Sequence, residues 1–136
     1  MNDSSFEQFS FLVIDDDDFS CDIVSSALNA IGGTRIHCAK DSQNALSLAR
    51  QYPPDFVLLD IYMPQTDGWT LLGQLRRLAP NAAIVMVTGS STPADFRKSM
   101  DEQADGYCIK PVSSMIMRKT LMGARLRRQA GHQSVH

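Results

Sequence analysis

The sequence predicts an α/β fold, a doubly wound sheet of parallel strands with helices on both faces. Three observations point to it. Four short runs, Phe11-Leu12-Val13-Ile14, Phe56-Val57-Leu58-Leu59, Ile84-Val85-Met86-Val87 and Tyr107-Cys108-Ile109, are apolar without alternation. They read as strands buried on both faces, the pattern of a parallel sheet. The segments between them repeat apolar residues at helical spacing, and right-handed crossovers send such helices to both faces of a sheet. Each run also ends on a polar residue: Asp15-Asp16, Asp60, Thr88 and Lys110 in turn.

Taken in order, the first strand is followed by Ile23, Val24, Ala27, Leu28 and Ile31 at helical spacing, and Gly32-Gly33 stops that helix. The stretch from Thr34 to Cys38 reads as a second strand. Asp41 or Ser42 can cap a second helix carrying Ala45, Leu48, Ala49 and Tyr52, which Pro53-Pro54 ends. After the strand that closes at Asp60, Asp67 can cap a helix with Leu71, Leu72, Leu75 and Leu78, closed by Pro80. Past the Thr88 strand, Ser91 or Thr92 precedes Pro93, which suits a first helical turn. That fourth helix, about Pro93 to Gln103, is weakly apolar, with Phe96, Met100 and Ala104 as its inward candidates. The Lys110 strand and a helix from Ser114 to about Arg128 complete the pattern. Five such units suggest the flavodoxin-like strand order 2-1-3-4-5, which sets the ends of the first and third strands side by side at the switch point. We expect a domain over residues 11–128, flanked by an N-terminal extension (1–10) and a C-terminal tail (129–136), both loose.

Composition narrows the setting. The chain of 136 residues has the length of one ordinary domain, and 43% apolar content is enough for one core. Seven acidic and no basic residues precede Arg35, whereas six basic and no acidic residues follow Asp105. Three cysteines without a Cys-x-x-Cys pair make no disulfide framework and favour a reducing compartment. No apolar stretch approaches the roughly 20 residues of a membrane span, and the N-terminus lacks the pattern of a secretion signal. A cytoplasmic location is expected, with no membrane partner. The basic set Arg118, Lys119, Arg125, Arg127 and Arg128 comes without a nucleic-acid recognition motif and reads as a solvated helix face.

Ligands of an open parallel sheet bind at the carboxyl ends of its strands, so the terminal residues of the four runs should converge. Asp60 is the candidate nucleophile, because a carboxylate can take a phosphoryl group as an acyl phosphate. That attack brings an anion to an anion. Asp15 and Asp16 could relieve it by holding Mg²⁺ together with Asp60, the hard-oxygen set that this ion prefers. Thr88 could donate a hydrogen bond to one phosphoryl oxygen and Lys110 could place a point charge beside another. Taken singly, each residue has a plainer explanation: an acidic loop favoured by a helix dipole, a strand end, a turn, a surface lysine. Their shared position at the ends of four strands is what the plain explanations leave unexplained.

With these residues in place, the chain resembles the receiver domain of bacterial two-component response regulators. The segments FLVIDDDD, VLLDIYMPQTDGWTLL, IVMVTGSS and DGYCIKP carry the resemblance, from about Phe11 to about Arg128. It implies that Asp60 is the phosphoacceptor, that Asp16 and Asp60 ligate Mg²⁺ directly, and that Asp15 acts largely through a metal-bound water. The backbone carbonyl of Tyr62 would be the remaining protein ligand. Thr88 would be the switch hydroxyl, Lys110 the phosphate-binding lysine and Tyr107 the switch aromatic. The implied partners are a sensor histidine kinase or phosphotransfer protein and a downstream target, with a homodimer through the fourth helix, fifth strand and fifth helix as an option. Val112 in place of an aromatic after Lys110-Pro111, Gly89 after Thr88, and bulky Tyr62 depart from the commoner pattern. Tyr62 and Ser90 border the path of attacking water and suggest slow loss of phosphate.

Two other classes compete. An aspartyl-phosphate hydrolase that depends on Mg²⁺ would use Asp15-x-Asp17 on the first strand, but it needs a cap or long insertions for its substrate. A flavodoxin-type cofactor binder needs a Ser, Thr and Gly-rich loop after the first strand, where this chain has four aspartates. A receiver cut from a larger regulator is a further alternative, since the pattern fills the length and leaves no room for an output domain.

Overall fold

Five parallel strands form one sheet in the spatial order β2-β1-β3-β4-β5 in the computed structural model, which describes residues 3–64, 66–89 and 92–133. The strands are β1 (Ser10–Ile14), β2 (Arg35–Ala39), β3 (Phe56–Leu59), β4 (Ala83–Thr88) and β5 (Gly106–Ile109). The helices are α1 (Asp18–Ala30), α2 (Ser42–Gln51), α3 (Gly68–Leu78), α4 (Pro93–Asp101) and α5 (Ser114–Gln133). The flavodoxin-like order expected from the sequence is the order found. In register, Leu12 lies beside Val57 and Val57 beside Ile84, so all strands end at one edge of the molecule.

Continuous apolar strands are required because the sheet has a core on each face. Phe11, Val13, Phe56, Leu58, Val85 and Val87 point to one side, where Val24 and Leu28 of α1 and Met117 and Leu121 of α5 cover them. Leu12, Ile14, Val57, Leu59, Ile84 and Met86 point to the other, beneath Ala45 and Ala49 of α2 and Leu71, Leu72 and Leu75 of α3. The inner strands β1, β3 and β4 cannot spare either face for polar residues, whereas the edge strand β2 carries Arg35, His37 and Cys38.

Side chains fix the helix starts. Asp17 caps α1 by accepting from Ser20 N–H, Asp41 caps α2 through Asn44 N–H, and Thr92 caps α4 through Asp95 N–H. Asp67 accepts from the N–H groups of Trp69 and Thr70 and from the Thr70 hydroxyl, and these bonds hold its carboxyl below its ordinary value. The next residue, Gly68, has a second reason to be what it is. A Cβ there would come within 2.6 Å of the Ile61 backbone, so only glycine lets α3 start against the strand end that carries Asp60. A short antiparallel ladder, Tyr62–Met63 against Thr66–Asp67, folds that connection and was not anticipated.

Three expectations need correction. The N-terminal segment from Phe6 onward is not loose: Phe6 is buried, and the rings of Phe6, Phe9 and Phe11 gather on Phe56 at 6.4, 5.4 and 5.4 Å. Burying aromatic area outweighs the tendency of a terminus to fray. Likewise α5 continues past Arg128 to Gln133, since no proline interrupts it and Gly131 alone is not enough to end it. In α4, Phe96 does not point inward. It is half-exposed and meets the Tyr107 ring edge-on at 5.5 Å, while the small Ser99 takes the buried position. Ser90 and Ser91 lie outside the described residues.

At the sheet end opposite Asp60, the buried Asp105 carboxylate joins the two helical layers. It accepts from Arg76 of α3 at 2.8 Å, from Arg128 of α5 at 3.0 Å and from Ile84 N–H at 2.9 Å. Arg76 also donates to the carbonyls of Ala82 and Gln103. Removing one partner of a buried pair leaves an uncompensated charge, which costs about 3–5 kcal/mol. Asp105→Ala should therefore lower the unfolding free energy by about that amount in urea denaturation, and a loss near zero would show that the clamp carries no stability.

Candidate functional site

Asp15 directly follows β1 and Asp60 directly follows β3, so the switch point of the topology sets them side by side. Backbone bonds hold both: Asp15 N–H donates to Ala39 O at 3.0 Å and Asp60 N–H to Ile14 O at 3.0 Å. Both carboxylates are buried, at 3% and 7% exposure, whereas neighbouring Asp16 is exposed. One oxygen from each of Asp15, Asp16 and Asp60 lies within 4.8 Å of the others.

Lys110 binds this cluster together. It follows β5, and its backbone N–H donates to Thr88 O at 2.9 Å, which aims the side chain across the strand ends. Its ammonium reaches Asp15 Oδ2 at 2.6 Å and Asp60 Oδ2 at 3.0 Å, with the Ser20 hydroxyl 3.3 Å away. Burial alone would lower the lysine's pKa, but the hydrogen bonds and charges of Asp15 and Asp60 outweigh it and hold the group above its ordinary value. The free oxygens have backbone donors. Asp17 N–H reaches Asp15 Oδ1 at 3.0 Å and Tyr62 N–H reaches Asp60 Oδ1 at 3.0 Å. Thr88, fully buried, ends β4 beside them.

Three carboxylates carry a formal charge of −3 and Lys110 returns +1, so two negative charges are left over. An all-oxygen donor set with that residual charge fits a hard divalent cation such as Mg²⁺. The sequence brings Asp15, Asp16, Asp60 and Lys110 together as expected. Tyr107 is half-buried on β5 and set against Phe96. A Cβ on Gly89 would meet nothing within 4 Å, which agrees with an open rim beside Thr88.

Further contacts had no distinct signal in the sequence. Ser20 touches the lysine, and the Cys21 thiol, itself buried, donates to the Asp15 carbonyl at 3.4 Å. The Tyr62 ring is 56% exposed, yet its hydroxyl donates to Asp95 Oδ2 at 2.6 Å and so ties the loop after β3 to the first turn of α4. A tyrosine and an aspartate 33 positions apart carry no pattern that marks such a bond.

The fold and site define a doubly wound α/β protein with a lysine-bridged acidic site at its switch point. The model of the response regulator receiver domain matches residues 11–122, and the chain belongs to that family, whose members act as phosphoacceptor switches in two-component signalling. Among curated relatives, a DNA-binding dual master transcriptional regulator of Synechocystis is 36% identical over 79% of this chain and 46% of its own length. A probable cyclic di-GMP phosphodiesterase of Vibrio cholerae is 30% identical over 87% of this chain and 27% of its own. The chain thus spans between about a quarter and a half of these relatives. A Burkholderia pseudomallei response regulator, solved with a phosphorylated aspartic acid, a calcium ion and citrate, superposes with a TM-score of 0.79 at 26% identity, over 92% of this chain and 73% of that one. A receiver domain of Methanospirillum hungatei shares the fold, with a TM-score of 0.78 at 24% identity, over 90% of this chain and 98% of its own.

Loss of a partner that only orients a metal ligand weakens binding about 10–100-fold, so loss of a direct ligand should cost at least that much. Asp16→Asn should accordingly weaken Mg²⁺ binding by roughly tenfold or more in calorimetric titration. In the wild type, Mg²⁺ at ten times its dissociation constant should stabilise the native state by about 1.4 kcal/mol. Thermal melts that ignore Mg²⁺ would contradict the site.

Proposed function

We propose that this chain is a phosphorylation-dependent switch in which Asp60 accepts a phosphoryl group from a histidine kinase or phosphotransfer protein. The observation that carries this reading is the Lys110 ammonium bridging Asp15 and Asp60 beside Asp16. An Asp60 oxygen attacks phosphorus as the bond to the donor's imidazole nitrogen breaks, and the electron pair leaves with the imidazole. Bound at Asp15, Asp16, Asp60 and the Tyr62 carbonyl, Mg²⁺ would supply charge neutralisation for the transferring group. Lys110 exchanges its contact with Asp60 for a phosphoryl oxygen and keeps the one to Asp15 as its anchor. Such transfer asks for positioning and electrostatic stabilisation, which these residues are arranged to give.

The signal then passes through Thr88. Its hydroxyl turns toward the new phosphoryl oxygen, and Tyr107 moves into the space it leaves. Because Tyr107 packs against Phe96, that movement reaches α4 and reshapes the surface of α4, β5 and α5. That surface is the proposed contact for a target protein or a second copy. Nucleic-acid contact is not part of the proposal. The lengths of the relatives support a second reading of context, a receiver within a larger regulator, with the same chemistry at Asp60. An aspartyl-phosphate hydrolase is the enzymatic rival, and sustained turnover of p-nitrophenyl phosphate would identify it.

Phosphate loss should be slow. Tyr62 offers no carboxylate or amide to orient an attacking water, and its bond to Asp95 keeps its ring at the rim. Acetyl phosphate with Mg²⁺ should label the wild type and leave Asp60→Asn unlabelled but folded. Thr88→Ala should accept label with a blunted change in Tyr107 fluorescence or NMR shift, and Lys110→Ala should label more slowly. Label that survives hydroxylamine would place the phosphate on a hydroxyl and contradict the scheme.

A further inference from the structure

Two cysteines face each other behind the acidic site, between α1 and the edge strand β2. Cys21 lies in the first turns of α1 and is 4% exposed, with its thiol donating to the Asp15 carbonyl at 3.4 Å. Cys38 is exposed on β2 and in register with Val13, two residues before Asp15. Val13 faces the α1 side of the sheet, and so does its neighbour Cys38. Ser25 follows Cys21 by one turn on the same helix face, and its hydroxyl lies 3.5 Å from Cys38 Sγ. The pair is therefore located from both sides, along the helix and along the strand. Burial pushes the Cys21 thiol up to about 12, and the adjacent Cys38 thiol is the next influence in the same direction. The third cysteine, Cys108, is buried on β5 beside Thr120.

We propose that Cys21 and Cys38 form a reversible disulfide in response to a peroxide, and that the bridge weakens divalent-cation binding at the acidic site. Cys38 is the solvent-facing partner and meets the oxidant first. Its sulfur takes the terminal oxygen of hydrogen peroxide, giving a sulfenic acid and one water. The Cys21 sulfur then attacks that sulfur, the S–O bond breaks, and a second water leaves with the Cys21 proton. Two thiols are oxidised by two electrons, and one peroxide is reduced to two waters. A dithiol reverses the bridge by exchange, which suits a disulfide of the transient, sensing kind.

The consequence for the site follows from a single proton. A disulfide sulfur has no hydrogen, so oxidation removes the bond that Cys21 donates to the Asp15 carbonyl. That bond orients the residue that bridges to Lys110, and β2 also supplies the Ala39 carbonyl that accepts from Asp15 N–H. These two supports of Asp15 thus lie on the two elements that the bridge would join. The coupling to cation binding rests on the proposed role of Asp15, Asp16 and Asp60, whereas the bridge itself does not.

The test treats the full chain with hydrogen peroxide, alkylates remaining thiols and maps peptides by mass, with Mg²⁺ titration in parallel. We expect a linked Cys21–Cys38 peptide, an alkylated Cys108, and Mg²⁺ affinity lower by about tenfold, as for lost ligand support, all reversed by dithiothreitol. Cys38→Ser, at an exposed position, should fold normally and show neither change. A sulfinic acid at Cys38 with Cys21 free, or a dimer bridged through Cys38, would overturn the site. A bridge that forms without altering Mg²⁺ affinity would overturn the coupling. If the reduced protein binds no Mg²⁺, the proposed function and the coupling fail together, while the mass map still decides the bridge.

Discussion

The constraint on which the structure depends is the mutual repulsion of carboxylates at the ends of β1 and β3. Two like charges 4.8 Å apart repel by about 3.5 kcal/mol at an effective dielectric of 20, and here three carboxylates each place an oxygen within that distance of the others. Such a cluster persists only if a cation is built into it. Lys110 is that cation, and it can be one only because β5 lies in a parallel sheet whose strands all end at the same edge. Residues 50 and 95 positions away in the chain thus become contacts of one ammonium. One positive charge does not balance three negative ones, and the remainder is a net negative charge that a hard divalent cation would offset.

The rest of the fold holds that cluster in place. The core strands have no polar face and cannot slip, since a shift of one residue would exchange the two cores. Gly68 allows α3 to press against Ile61 next to Asp60. At the far end, Asp105 draws Arg76 and Arg128 together from opposite sides of the sheet. The element with the least anchoring is α4, which buries only Ser99 fully. It is held at its start by Asp95 to Tyr62 and at its side by Phe96 against Tyr107. A helix attached mainly through residues next to the site can answer a change there at modest cost.

Much of this was legible in the chain. Strands buried on both faces announce themselves as unbroken apolar runs, and their terminal residues mark the edge where the acidic cluster gathers. Asp67 signalled a helix cap, whereas the close approach of Gly68 to Ile61 left no mark of its own. What was hidden depended on contacts with no local period. Phe6 and Phe9 looked like a terminal extension because only the aromatic surface of Phe56 gives them a place to bury. Phe96 followed a helical spacing that suggested burial, yet the small Ser99 took the inner position. Ser20 and Cys21 stand out by no pattern, because their chemistry lies in what they do to Lys110 and Asp15. The Asp105 clamp joins residues of α3, β4 and α5, and three separate charges in a sequence do not indicate that they will meet.

If Lys110 is the built-in countercharge of a cluster that also accepts a divalent cation, its ammonium must respond when that cation binds. NMR of the side-chain ammonium in protein labelled with ¹⁵N-lysine tests it most directly. The Lys110 signal, assigned by its loss in Lys110→Met, should move during Mg²⁺ titration with the same midpoint as the backbone amides of Asp60 and Asp17. Lys119, exposed on α5, serves as the internal reference and should move little, whereas Lys40 pairs with Asp18 on the surface. A Lys110 signal that stays fixed at saturating Mg²⁺, or shifts centred on Lys40 and Asp18, would contradict the account.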